Sequence, residues 1–358
     1  FDSVWHDGLW AVFRSYGVPD KLVRLLSSLY ADSKMAVRIN NTLQGEWFEA
    51  EIGSRQGDPI SPIAFITLLE RVMEKVECET ENVEVNIQGT RIKDLRFADD
   101  IDLLTEHGPD LQVALTNLNV SSKRFGLKIN RSKTKVMIMS RRPVQTDPIV
   151  IEGEQVEQVT EFVYLGSLIT STNDCAPEIR RRINLANQAF GRLKQIWKDA
   201  SLNRKTKLEI LTTCVFSCLL YAAETWTLKE ADRKRLLAFE MRCYRRIMKV
   251  NWRDKVTNDS IRKSLSREHT IIETFKLRKL RLFGHICRMD DSRLLKNIML
   301  GTVEGNRPRG RPARRWSDDI VQWVGRPLPE AVHMAADRNA WSRIVENAVN
   351  GLNGSAEL

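Results

Sequence analysis

Phe97-Ala98-Asp99-Asp100 sets two adjacent carboxylates between apolar residues, with Leu95 before them and Ile101, Leu103 and Leu104 after. The pattern reads as two short strands joined by a tight turn. Two acids buried there unpaired would be costly, because a desolvated carboxylate needs a cation or strong donors. A hairpin tip opening on a cleft resolves that cost if divalent cations sit against it. Hard oxygen ligands suit Mg²⁺, an ion that also takes phosphate oxygens. Adjacent strand residues point to opposite sides, so one carboxylate would face the metal and its neighbour would be peripheral. A plain exposed Asp-Asp turn is the competing reading, and the tetrapeptide alone does not separate the two.

The company it keeps does. Upstream, Gly53-Ser54-Arg55-Gln56-Gly57-Asp58-Pro59-Ile60-Ser61-Pro62 is a loop opening a helix. Gly57 lets backbone approach a ligand closely, Arg55 is a phosphate partner, and Gln56 offers both donor and acceptor. Downstream stand Phe125-Gly126-Leu127-Lys128-Ile129-Asn130, then Lys133-Thr134-Lys135, then Phe162-Val163-Tyr164-Leu165-Gly166.

The elements that must hold these motifs follow from periodicity. Helices are expected over residues 7–16 and 21–30, the second announced by Pro19. Residues 35–39 and 46–52 read as a hairpin turning through Asn40, Asn41 and Gly45. Ser61 caps a long apolar helix to about residue 76, with Pro62 in its first turn, and a helix over 110–125 ends near Gly126. Strands are expected at 128–130, 136–139, 149–151 and 162–165. This mixture predicts an α+β fold, an antiparallel sheet covered by helices on one face. Beyond about Ser171 the strand signals fade, and helices are expected over 176–198, 204–223, 230–250, 270–288 and 314–324.

With 358 residues, 42% hydrophobic and 28% charged, the chain can bury a core, which excludes disordered and collagen-like classes. The apolar stretch from Ile210 to Ala223 is interrupted by Thr and Ser and is too short to span a bilayer. Phe1-Asp2-Ser3 begins no secretory leader, and the missing Met suggests a fragment. Cys78, Cys175, Cys214, Cys218, Cys243 and Cys287 form no CxxC pair and read as reduced, intracellular residues. Residues 1–170 hold 19 Lys/Arg against 25 Asp/Glu, a balance of −6, while residues 171–358 hold 37 against 21, or +16. Chemistry in the first part and a polyanion grip in the second would account for this; so would basic helices that are simply solvated.

The four motifs, in this order, resemble the reverse transcriptases of non-LTR (LINE-type) retrotransposons, over residues 1–170 and on into the helical half. The resemblance implies a right-hand polymerase palm at 1–170, a helical thumb at 171–250 and a basic nucleic-acid-binding region at 251–358, with the fingers absent. It implies RNA-directed DNA polymerase chemistry, two-metal nucleotidyl transfer from a dNTP to a primer 3′-hydroxyl, with Mg²⁺ as cofactor and Mn²⁺ as an alternative. Asp99 would be the principal metal ligand and Asp100 its partner. Arg55, Gln56 and Gly57 would line the nucleotide and template, and Lys133 would assist near the leaving pyrophosphate. Phe162, Tyr164, Leu165 and Gly166 would grip the primer. Phe1-Asp2-Ser3-Val4 matches only the tail of the family's first catalytic motif. Phe1 then stands at the steric-gate position that excludes a 2′-hydroxyl, and the motif's Asp would lie five residues earlier. Asp2 would cap the next helix instead of binding metal. With two of three metal carboxylates, the chain alone is not expected to extend a primer. The alternative function is an inactive retroelement remnant that only binds nucleic acid. The partners implied are an RNA template, a DNA primer or target, dNTPs and a ribonucleoprotein with the element's RNA, in the nucleus or cytoplasm, without a membrane.

In the basic half, Arg180-Arg181-Arg182 and the run from Arg242 to Lys249 are candidate phosphate contacts or solvated faces. The segments from Arg281 to Met289 and from Gly305 to Trp316 look like the C-terminal part of the same retroelement proteins. Pro308-Arg309-Gly310-Arg311-Pro312 resembles an AT-hook core, in which Arg309 and Arg311 would enter an A·T-rich minor groove. Ala313 stands where such hooks continue with a basic residue, and a turn before the helix of Trp316, Ile320 and Trp323 is the other reading. His285, Cys287 and His269 are zinc ligands or core residues. Cys214 and Cys218 share a helical face with Leu211 and are expected in the core.

Overall fold

Apolar side chains at i, i+3, i+4 and i+7 spacing fold into helices that bury one stripe. The computed structural model describes residues 3–31, 33–39, 42, 43, 45–49, 52–55, 57–79, 85–87, 89–140, 144, 146–266, 269–301 and 314–350. It divides into two compact units, Phe1–Val136 with Pro143–Val159, and Met137–Arg142 with Thr160–Leu358.

The first unit opens with helices α1 (His6–Ser15) and α2 (Asp20–Ala31). Short strands follow: β1 (Lys34–Met35), β2 (Arg38–Ile39), β3 (Thr42–Leu43) and β4 (Phe48–Glu49). Next come helix α3 (Ser61–Glu79), strands β5 (Val85–Ile87), β6 (Thr90–Ile92), β7 (Asp94–Phe97) and β8 (Asp100–Leu103), helix α4 (Gly108–Arg124), and strands β9 (Val150–Ile151) and β10 (Glu154–Gln155). Ala64, Phe65, Leu68, Leu69, Val72, Met73 and Val76 form the stripe of α3 and pack against Leu9, Trp10 and Phe13 of α1 and Leu118 of α4. Trp5, not Asp2, holds the N-cap position of α1; Asp2 itself lies outside the described residues. The hairpin expected over 35–52 forms as two short ladders, β1 with β4 and β2 with β3.

The antiparallel pairing expected from the sequence forms, but among the described residues not as one continuous sheet. The described strands make separate two-stranded antiparallel ladders, two to four residues long. One reason is visible at 128–130, expected as a strand. The Asn130 side chain accepts from Ser132 Oγ at 2.8 Å and Lys133 N at 3.2 Å, while its carbonyl accepts from Lys133 and Thr134 N–H. This turn engages backbone groups that a ladder would have used. The expected strand at 136–139 is reduced to one parallel bridge, Val136 to Gln158.

The second unit begins with the hairpin β11 (Glu161–Tyr164) and β12 (Ser167–Thr170). The described remainder is helical: α5 (Ala176–Arg192), α6 (Lys194–Lys198), α7 (Arg204–Ile210), a π-helical turn Leu211–Phe216, α8 (Ser217–Leu219), a 3-10 turn Ala223–Thr225, α9 (Glu230–Met248) and a 3-10 turn Trp252–Asp254. Then come α10 (Asn258–Ser264), α11 (Ile271–Cys287), α12 (Leu294–Leu300), α13 (Trp316–Val324), α14 (Leu328–Ala336) and α15 (Arg338–Val349). Helix α11 joins two cores: Phe275 packs among Trp226, Leu236 and Leu211, whereas Leu280 and Phe283 pack with Ile320, Trp341 and Val345. Between them lies Lys279, fully buried, donating to Asp319 Oδ2 at 2.6 Å and to the Trp226 carbonyl at 2.7 Å. Its cation sits 4.7 Å from the Trp316 ring centroid.

Cys214 and Cys218 are exposed, against expectation. The π-helical turn carries an extra residue, so the buried positions run Leu211, then Val215 with Phe216, then Leu219 with Leu220, and Cys214 and Cys218 turn to solvent. Cys287 is buried beside Phe283, and burial pushes its thiol up to about 11 and that of Cys243 up to about 12. No described helix is long and apolar enough to cross a membrane.

Candidate active site

In the β7–β8 ladder Phe97 faces Asp100, Arg96 faces Ile101, Leu95 faces Asp102 and Asp94 faces Leu103. Opposed residues share a face, so Phe97, Asp100, Leu95 and Asp102 lie on one side and Asp94, Arg96, Ile101 and Leu103 on the other. The second side is anchored. Ile101 and Leu103 pack on the main core of the unit, and Arg96 pairs with Asp94 at 2.5 Å and with Glu70 of α3 at 2.8 Å. The tip is the two-residue turn Ala98-Asp99, in which Ala98 has φ +54° and Asp99 is not left-handed. That is the φ pattern of a type II′ turn, whose first position glycine occupies most easily; alanine there costs about 1–2 kcal/mol. The strained turn presents Phe97, 64% exposed, with Asp99 and Asp100 also exposed. Among the described residues neither carboxylate has a hydrogen-bond or ion-pair partner.

Asp102 was not singled out from the sequence, although its i, i+2 spacing from Asp100 puts both acids on one face of β8. It is half-buried, and burial, then the Asp100 charge, raise its carboxyl above the ordinary range. Two exposed, unpartnered carboxylates fit as hard ligands for Mg²⁺, which keeps several waters and completes its shell with substrate phosphates. Among the described residues no three His, Cys, Asp or Glu side chains gather into a metal-holding group.

The loop before α3 is built around Tyr30, buried at the end of α2. Its hydroxyl donates to Asp58 Oδ2 at 3.1 Å and lies 3.2 Å from Ser61 Oγ; burial raises its pKa. Asp58 Oδ1 accepts from Ile60 N at 3.0 Å, and Ser61 Oγ donates to the Arg55 carbonyl at 2.8 Å, so Ser61 starts α3 rather than capping it. Arg55 Nε donates to Ser33 Oγ at 2.9 Å, and its Nη2 donates to Ser33 Oγ and to the Leu29 carbonyl. Nη1 has no partner among the described residues, which leaves one edge of an exposed guanidinium for an anion. Gly57 has φ +88°, and a Cβ there would meet nothing within 4 Å. Its glycine therefore serves the left-handed backbone, not close approach by the rest of the chain.

Lys133 is exposed in the Asn130 turn, without an ion pair among the described residues. No hydrogen bond or ion pair joins Asp99 or Asp100 to Arg55 or Lys133 there. Phe162, Tyr164, Leu165 and Gly166 belong to the second unit. Leu165 and Gly166, with φ +46° and +78°, form the β11–β12 turn, a type I′ pattern. The turn carbonyls are pinned. Tyr221 Oη donates to Leu165 O at 2.9 Å, Arg181 donates to Gly166 O at 3.2 Å, and Arg182 donates to the same oxygen. Arg182 is itself buried, paired with Glu178 at 2.5 Å and lying 4.4 Å from the Tyr221 ring centroid. Arg181 and Arg182 are thus structural in part. No sequence signal marked Glu178 or Tyr221. Phe1, Gln56, Arg309 and Arg311 lie outside the described residues.

Residues 1–169 match the family described as reverse transcriptase (RNA-dependent DNA polymerase). This segment belongs to that family. The reverse transcriptase segment holds the Asp99-Asp100 turn, the Arg55 loop and Lys133, the motifs that carried the sequence expectation, and the family is one of nucleotidyltransferases. An uncharacterized transposon-derived protein of Caenorhabditis elegans is 28% identical over 278 residues, 73% of this chain and 98% of its own length. A Pol polyprotein from the type-1 retrotransposable element R2 of Nasonia vitripennis is 26% identical over 196 residues, 52% of this chain and 18% of its own. The R2DM polyprotein of Drosophila melanogaster is 26% identical over 230 residues, 62% of this chain and 21% of its own. The chain spans about a fifth of the length of these two polyproteins.

Proposed function

We propose that the chain is the palm and thumb of a retrotransposon RNA-directed DNA polymerase, taking an RNA template, a DNA primer and dNTPs. The observation that carries this reading is the Ala98-Asp99 turn, which spends conformational energy to present two carboxylates that nothing among the described residues neutralises. Asp99 and Asp100 would hold the divalent metal, which when bound supplies charge neutralisation for the triphosphate and acidifies the primer hydroxyl. The open edge of Arg55 would take a phosphate oxygen, while its clasp on Ser33 and Leu29 keeps the guanidinium from swinging. Lys133 would place a cation where negative charge develops on the leaving pyrophosphate. The β11–β12 hairpin, stiffened by Tyr221 and Arg182, would position the primer strand.

Retention of labelled dTTP by the 358-residue chain on poly(A)–oligo(dT) tests the assignment. Retention should require Mg²⁺ or Mn²⁺ and fall in Asp99→Asn by at least the roughly 10–100-fold that even outer-shell partners of a metal site contribute. Equal retention by the variant and its parent would overturn it.

A further inference from the structure

Trp252 is 82% exposed, more than any other large apolar side chain described. It is not on a loose end. It opens the 3-10 turn Trp252–Asp254, where Asn251 N donates to Asp254 Oδ2 at 2.6 Å and Lys255 N donates to the Trp252 carbonyl at 3.4 Å. Arg245, in the last turn of α9, donates to Val256 O and Asn258 Oδ1, both at 2.9 Å, tying the far side of the turn back to the helix. Lys249 and Lys255 bracket the turn with φ +58° and +50°, left-handed positions held by residues other than glycine. Such strain persists only where the surroundings over-determine it. The fold therefore fixes the backbone that carries this indole into water, where the ring forfeits the stabilisation that burial would bring.

The surroundings say what it would meet. The Arg253 guanidinium lies 5.5 Å from the Trp252 ring centroid. Arg246, Lys249, Arg253 and Lys255 are exposed with no carboxylate partner among the described residues, and Asp254 is engaged by the turn. Along α9, Arg235, Arg242, Arg246 and Lys249 fall at i, i+7, i+11 and i+14, one stripe that runs into this turn. Near its start, Arg235 and Arg242 line with Arg180 of α5 a groove of about 510 Å³ floored by Ile183 and Phe239. A protein interface would surround the tryptophan with an apolar patch, whereas residues 249–255 offer Lys, Asn, Arg and Asp beside a single half-buried Val250. A flat aromatic face ringed by cations matches an unpaired base and its phosphates. Bases inside a duplex are already stacked and present no free face.

We propose that Trp252 is a stacking platform for an unpaired nucleotide, with Lys249, Arg253 and Lys255 holding the adjoining phosphates at the end of the α9 stripe. This rests on the polymerase reading only in supposing that the chain meets nucleic acid.

Fluorescence anisotropy with the 358-residue chain tests it, using labelled oligo(dT), oligo(rU), an abasic strand of equal length and a hairpin-closed duplex. Trp252→Ala should weaken binding of the base-bearing single strands about five- to hundred-fold, the range for losing one stacked base. It should leave the abasic strand and the duplex unchanged, and Trp252→Phe should retain most of the affinity. A larger effect on oligo(rU) than on oligo(dT) would identify the strand as RNA, and the reverse as DNA; either supports the platform. Equal losses on all four ligands, or no loss on any, would overturn it. If the parent chain bound none of them, the nucleic-acid reading would fall as well, a result distinct from a silent Trp252→Ala.

Discussion

At Asp102 the fold works against a charge that the sequence leaves ordinary. Burial and the neighbouring Asp100 both raise its carboxyl, so the folded state prefers the protonated acid more than the unfolded chain does. The stability it contributes is fully present below the unfolded value near 3.8 and is lost as pH rises through the higher folded value. Asp102→Asn should therefore raise the melting temperature at pH 7, with the gain shrinking toward zero as pH falls below about 4. Thermal melts of both proteins across that range check it, and a gain that persists at low pH would point to packing instead. The hairpin tip that carries Asp99 and Asp100 was legible in the sequence because such a turn is a short-range pattern. Tyr30 and Ser33, which hold the Arg55 loop, were not, because their partners lie more than twenty residues away.

Turns and helices carry their own tests. The left-handed Ala98 implies that Ala98→Gly leaves the protein as stable or stabilises it by about 0.5–1 kcal/mol, whereas Ala98→Val should destabilise it by more than about 1 kcal/mol. Urea denaturation of the two variants distinguishes this from an unstrained turn, which would tolerate both alike. In α11, a Cβ on Gly284 would run into the Trp341 indole, which donates to the Leu280 carbonyl at 2.9 Å. Alanine is the better helix former, yet Gly284→Ala should cost about 1–3 kcal/mol by wedging α11 from α15. Helix-level features were read well where an amphipathic stripe was long, as in α3 and α9. Helices α10 and α12, seven residues each, carried too few periods to stand out, and α14 and α15 were not expected from the sequence. The π-helical turn escaped detection because one extra residue changes which face is buried without changing composition.

For the whole molecule, charge makes the broadest prediction. Beyond residue 170 the balance is +16, and the arginines of the described helices divide between structural partners and open cations. If six to ten phosphates are neutralised, affinity for a template–primer duplex should fall roughly 10³–10⁵-fold between 50 and 200 mM salt. A titration much flatter than this would mean the basic helices are chiefly solvated surface. The sequence by itself determined the reverse transcriptase motifs, the hairpin turns at Asp99 and Gly166, most long helices and the charge asymmetry. All of these depend on residues within a few positions of one another. Only the tertiary structure decided which basic groups are engaged, as Arg182 and Lys279 are, and which stand open, as Lys133 and Lys249 do. It also decided that the strands pair off as separate ladders and that Trp252, alone among nine tryptophans, stands more than four-fifths in water. Those outcomes turn on partners far apart in the chain, and local pattern carries no record of which distant side chain will arrive.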